Sequence, residues 1–255
     1  MTRAIAAVWL DELRDSLDED HRRWRSRHIE GLAPLNGSIG PVLAAAAEHA
    51  FAVLRRDLRK IRGDEAIPPC AVVAITPISS YISFTSSYFP EEGAFATSGG
   101  LYLNEGESSF PLLVISGSVP SSVEATVAHE LTHHALVSMD LPLWAEEGLT
   151  QMMEQRVTGV SNFMLDERLV RRHRAHWDEA RLQHFIDGSA FASPEGDEQE
   201  LAYHLAQWIV RSLLTSKPEA FFAFARECRK EGSDFACSRH LGSDPMALAA
   251  ERVGL

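Results

Sequence analysis

The sequence predicts an α+β fold that is mostly helical, with a small mixed β-sheet followed by a histidine-bearing helix, a glutamate-bearing helix and further helices toward the C-terminus. Two observations carry this. Short β-rich runs are confined to residues 70–116 and are separated by Pro, Gly and Ser, whereas elsewhere apolar residues recur at helical spacing. A length of 255 residues suits one domain, or one domain with a helical extension. The expected division is an N-terminal helical segment at 1–66, supplying backing helices, and a main domain at 67–255.

Ala4 to about Arg27 reads as a strongly charged helix. Pro41 to about Ile61 reads as a second, with Val42, Ala46, Phe51, Leu54, Leu58 and Ile61 near helical spacing. Four strands are expected: Cys70–Ile75, Tyr81–Phe84, Gly100–Asn104 and Leu112–Ser116. Ser121 as N-cap with Glu124 three residues later marks the start of a helix to about Met139, along which Val123, Val127, Leu131 and Ala135 repeat every four residues. Asp140 and Pro142 break it, and Trp144 to about Val157 forms the next helix, ending near Gly159. Asn162–Phe185, Glu200–Thr215, Pro218 to about Lys230, and Asp244–Val253 read as further helices. Asp187–Glu200 reads as a long loop able to act as a flap.

The chemistry is concentrated in His129-Glu130-Leu131-Thr132-His133 and Trp144-Ala145-Glu146-Glu147-Gly148. Residues four apart on a helix lie one above the other, so His129 and His133 can converge on one ion. Glu130 sits beside them, where it reaches a metal-bound water and can act as general base. Catalytic zinc takes three protein ligands and keeps a fourth position for water. Two helices joined by so short a turn pack side by side, which returns Glu147 to the histidine pair.

Together these two motifs resemble those of the gluzincins, the zinc metallopeptidases of thermolysin-like and aminopeptidase-like type. The resemblance covers roughly Cys70 to Cys228 and is nearer to the compact bacterial peptidase-like domains of that clan. It implies a gluzincin-like fold, one Zn2+ per chain held by His129, His133 and Glu147 rather than Glu146, and Glu130 as catalytic base. It also implies a Tyr or His from a later helix as oxyanion donor. Tyr203 and His204 are the adjacent candidates, Tyr203 being favoured, and a Tyr ring that merely packs between helices is the alternative. Two positions depart from the pattern. Gln151 stands where many relatives carry an acidic residue that orients a zinc histidine, and Gly93-Ala94-Phe95-Ala96-Thr97 lacks the glutamate that binds a substrate's free amine. The second departure favours endopeptidase over exopeptidase action. The resemblance further implies that an edge strand meets the substrate backbone, with Gly99-Gly100-Leu101-Tyr102 as candidate or, equally, as an ordinary hairpin strand.

Composition narrows the partners. The net charge of −12 arises beyond residue 66, which argues against nucleic acid. No apolar run is long enough to span a membrane, and Ala4–Leu10 is cut short by Asp11 and Glu12. Cys70, Cys228 and Cys237 form no Cys-x-x-Cys pair and fit a reducing, cytoplasmic setting. A second metal site at Cys228, Cys237 and His240 matches no common zinc spacing. His134 points about 100 degrees around the helix from the ligand pair and reads as a packing residue or a support for the ligands rather than as a ligand. His173 and His176 with Arg171, Arg172 and Arg174 read as a solvated basic face, with steering of acidic substrates as the alternative. The functional expectation is a zinc peptidase acting on a peptide or protein, with a catalytically silent zinc-binding or protein-interaction domain as its rival.

Overall fold

A computed structural model describes residues 3–17, 21–35, 38–88, 99–103, 112–116 and 120–255. In chain order it contains α1 (Arg3–Ser16), β1 (His21–Arg25), β2 (Glu30–Pro34), α2 (Ile39–Asp57), α3 (Arg59–Arg62), β3 (Ala71–Ile75), α4 (Ile78–Tyr88), β4 (Gly100–Leu103), β5 (Leu112–Ser116) and α5 (Pro120–Leu136). There follow α6 (Leu143–Thr158), α7 (Glu167–His176), α8 (Glu179–Asp187), α9 (Gly196–Ser216), α10 (Pro218–Glu231), α11 (Ser233–Leu241) and α12 (Pro245–Val253). The fold is α+β and mostly helical, with one small mixed sheet. No helix is long and apolar enough to cross a membrane among the described residues.

The chain divides into two compact units, one comprising residues 1–56 and 66–135 and the other 57–65 and 136–255. The first is built on a five-stranded sheet of order β1-β2-β3-β5-β4. The Ala-Val-Val-Ala-Ile run of β3 is buried at every position, as a central strand covered on both faces requires. It pairs in parallel with β2 and β5, while β1 and β4 add antiparallel edges. Leu10 and Leu13 of α1, Leu32 of β2, Val73 and Ile75 of β3, Tyr81 of α4, Leu103 of β4 and Val114 of β5 form one apolar core. Gly31 sits where β2 and β3 run closest: a Cβ there would lie 1.7 Å from the Val72 carbonyl oxygen.

Several expectations are corrected here. The charged N-terminal helix ends at Ser16, and residues 21–25 form β1 instead. Pairing with β2 overrides the local helical pattern, and β1's edge position lets its arginines reach solvent and carboxylates: Arg23 contacts Glu30 at 3.1 Å and Asp11 at 3.4 Å. Residues 1–66 therefore do not form a separate helical segment but supply two of the five strands. Tyr81–Phe84 is part of α4, not a strand. Its composition suits a strand, yet the buried positions Tyr81 and Thr85 lie four apart and Ile78 and Ile82 face solvent.

The second unit is helical. The expected helix 162–185 is two, α7 and α8, because Trp177 leaves the helical conformation and Asp178 caps the next helix by accepting from the Arg181 amide at 2.9 Å. Asp166 caps α7 in the same way. The expected flap 187–200 is largely structured. Ser189–Ala192 is a 3-10 turn with Ala190 and Phe191 buried, and α9 begins at Gly196. Between α10 and the closing helix stands α11, which the sequence reading did not separate. Replacing Gly31 by Ala should cost about 3 kcal/mol or more in urea denaturation, since backbone must move to admit the Cβ. A loss under 1 kcal/mol would show that the ladder can open there.

Candidate metal centre

Helix α5 starts at Pro120, one residue before the expected cap, and the Ser121 side chain lies outside the described residues. Val123, Val127, Leu131 and Ala135 are fully buried, so the four-residue repeat forms the apolar face of α5. His129 and His133 stand on the opposite, half-buried side of the helix. Their Nε2 atoms are 3.3 Å apart and the rings meet edge to face at 66°. At that separation either one ring N–H donates to the other nitrogen or both lone pairs face a common cation. The distance matches the roughly 3.3 Å edge of a tetrahedron with metal–nitrogen bonds of about 2.0–2.1 Å.

After α5 a 3-10 turn, Val137–Met139, leads to Asp140, which adopts a left-handed conformation (φ 52°) and turns the chain into Pro142 and α6. Aspartate tolerates that region better than most residues. Ligand atoms of His129, His133 and Glu147 all lie within 4.8 Å of one another, and among the described residues this is the one such group of three or more His, Cys, Asp or Glu side chains. Glu147 is buried, whereas the neighbouring Glu146 is partly exposed and is not in the group. Two imidazole nitrogens and one carboxylate oxygen are a donor set suited to a borderline divalent ion such as zinc. Glu130, next to His129, is buried as well.

The residues around the glutamate explain its motif. Trp144 is buried and stacks on Phe224 of α10, centroids 5.7 Å apart at 15°. One turn further along α6 the helix meets α9 so closely that a Cβ on Gly148 would lie 2.5 Å from both the Ala206 carbonyl oxygen and Val210 Cγ2. Trp144 and Gly148 thus hold α6 against two helices, with Glu147 between them in sequence. Gln151, the first departure from the expected pattern, makes no side-chain hydrogen bond among the described residues.

His134 is not idle packing. Its Nε2–H donates to the Pro68 carbonyl at 2.9 Å, which leaves Nδ1 to accept from the Tyr102 hydroxyl at 3.2 Å. This bond joins α5 to β4, and β4 is an edge of the sheet, as expected. A Cβ on Gly100 would lie 2.5 Å from Thr126 Cγ2 of α5, so this glycine also serves close strand–helix packing. Residues 93–97 lie outside the described residues.

Tyr203 sits on α9 one turn before Ala206, its ring edge-on to Phe191 at 5.3 Å. His204 is committed elsewhere: Nδ1 faces His173 Nε2 at 2.8 Å and Nε2 faces the Met164 carbonyl at 3.1 Å. Of the two adjacent candidates for an oxyanion donor, His204 therefore has no free ring nitrogen. The basic face is also not simply solvated, because His173 is buried and Arg172 is bound by Glu200 at 2.9 Å and Asp197 at 3.2 Å. A second metal site at Cys228, Cys237 and His240 gains nothing. Burial pushes both thiols up to about 12, and His240 pairs with Glu227.

Compared with known proteins, the chain matches no family model and no curated protein sequence.

Gly148→Ala should lower stability by about 1–3 kcal/mol in denaturant titration, because the α6–α9 contact has no room for a methyl group. Unchanged stability would mean that the two helices separate freely.

Proposed function

We propose that the protein is a zinc-dependent peptidase, acting as an endopeptidase on a peptide or protein substrate. The observation that carries this reading is the grouping of His129, His133 and Glu147 beside a buried glutamate, Glu130, on the histidine helix. The resemblance of both motifs to gluzincins supports it. Three protein ligands leave a fourth position for water, which is what separates catalytic from structural zinc sites. A structural site would have no use for Glu130.

When bound, zinc supplies a Lewis acid that lowers the pKa of a coordinated water and polarises the substrate carbonyl. Glu130 would act as the proton carrier, taking the proton from the attacking water and passing it to the departing amine. Tyr203 donates a hydrogen bond from its phenol to the oxyanion. The β4 edge at Gly99–Tyr102 pairs with the extended substrate backbone. Three buried free thiols, Cys70, Cys228 and Cys237, support a reducing, cytoplasmic setting.

Elemental analysis of the purified chain should find about one zinc, lost in His129→Ala and Glu147→Ala and kept in Glu146→Ala. Metal retained by Glu147→Ala but not Glu146→Ala would transfer the ligand role. Glu130→Gln should keep the metal and lower peptide turnover by about 10²–10⁴-fold, and full activity in that variant would refute the assignment. Stoichiometric zinc with no cleavage in a peptide library would replace the peptidase by a zinc-binding domain. Tyr203→Phe should keep the metal and reduce kcat by about 10²–10³-fold, with KM little changed.

A further inference from the structure

Segment 159–166 links the C-terminus of α6 to α7. It leaves α6 at Gly159 in a left-handed conformation (φ 70°) and exposes Val160, Met164 and Leu165. What fastens it is a directed chain of hydrogen bonds. Indole nitrogen can only donate, so Trp177 Nε1–H, 2.9 Å away, makes His173 Nδ1 an acceptor. A neutral His173 then carries its proton on Nε2 and donates to His204 Nδ1 at 2.8 Å. That leaves the proton of His204 on Nε2, where it donates to the Met164 carbonyl at 3.1 Å. The His204 ring also stacks on Phe163 at 4.8 Å and 8°, and the Arg211 guanidinium lies 4.8 Å from the centre of that same Phe163 ring.

Every donor in this chain meets an acceptor only while both imidazoles are neutral. A proton added at His173 Nδ1 would face the indole N–H, and one added at His204 Nδ1 would face the His173 N–H. From this geometry we infer that His173 and His204 form an acid-released clasp, which holds segment 159–166 onto α9 near neutrality and lets it go as the imidazoles protonate. The inference does not depend on the peptidase reading.

The charges around the pair favour the neutral forms. Arg172 and His176 of α7 approach it, Arg211 of α9 lies beyond Phe163, and the Glu251–Arg252 pair of α12 borders the same hollow as Phe163 and Trp208. Glu200 of α9 is the opposing charge, and Arg172 binds both of its carboxylate oxygens. Burial first, then His204 and Arg172, brings His173 down to about 3, and burial lowers His204 despite the Met164 carbonyl and Glu200. The sign follows directly. Once the segment lifts off, His204 on α9 is uncovered and its pKa returns toward the ordinary 6.5, whereas beneath the held segment it binds a proton only at lower pH. The clasp is therefore complete above 6.5 and weakens below it, by up to about tenfold per pH unit for the one imidazole that release uncovers.

Imidazole nitrogen NMR and backbone heteronuclear NOE of residues 160–165, recorded on the full chain from pH 7.5 to 4.5, test this. At pH 7.5 both rings should be neutral Nε2–H tautomers and the segment as rigid as α7. Toward pH 4.5 the segment should become mobile while α7 and α9 stay ordered. An Nδ1–H tautomer at either ring, or a segment equally rigid across that range, would overturn the inference. His204→Phe, which keeps an aromatic stack but has no donor, should leave the segment mobile at both pH values with a cooperative thermal transition. A rigid segment in that variant at pH 7.5 would equally refute the clasp.

Discussion

Two imidazoles can face one cation only if the helix that carries them is fixed in rotation as well as position, and α5 is fixed on both counts. Its four-residue apolar repeat is buried without exception, which sets the face turned inward. A half-turn of error would place Val127 or Leu131 where the histidines stand. His134 adds a polar constraint, since its two ring nitrogens bind Pro68 and Tyr102 at opposite edges. A buried imidazole with both nitrogens engaged permits little rotation of the helix about its axis. The 3.3 Å approach of His129 and His133 comes from their i, i+4 spacing, and the seating decides which way the pair faces.

The glutamate helix is held by a different device. Helix α6 has no strong side-chain cap, starting from Pro142, and its first turn is secured by packing. Trp144 supplies aromatic area against α10, and Gly148 removes the side chain that would keep α9 away. The packing of Trp144 and Gly148 thereby fixes the stretch of α6 that carries Glu147. The same logic explains why a glycine, unfavourable in a helix interior, stands there.

The clasp at His173 and His204 shows how one short motif can contain residues with separate roles. Tyr203 and His204 are adjacent in sequence but about 100 degrees apart around α9. His204 faces Phe163 and His173, whereas Tyr203 faces Phe191. Sequence adjacency had made them alternatives for one task, and their directions on the helix give them different neighbours.

What the sequence by itself determined was local. The i, i+4 histidines, the glutamate that follows the first of them and the apolar repeat of α5 are properties of a single helix, legible from periodicity alone. So were the strands at residues 71–75, 100–103 and 112–116, whose composition and bounding Gly and Pro agree with their burial. Tertiary structure decided the rest. Residues 21–25 became a strand because β2 offered a partner, and residues 81–84 became helical because burial every fourth position outweighed β-rich composition. Gly148 and Gly100 owe their identity to close approaches from other segments of the chain, and His134, His173 and His204 owe their tautomers to partners between 4 and 66 residues away. Periodicity records which face of an element is apolar, but which atoms come to lie against that face depends on chain segments that no local pattern names.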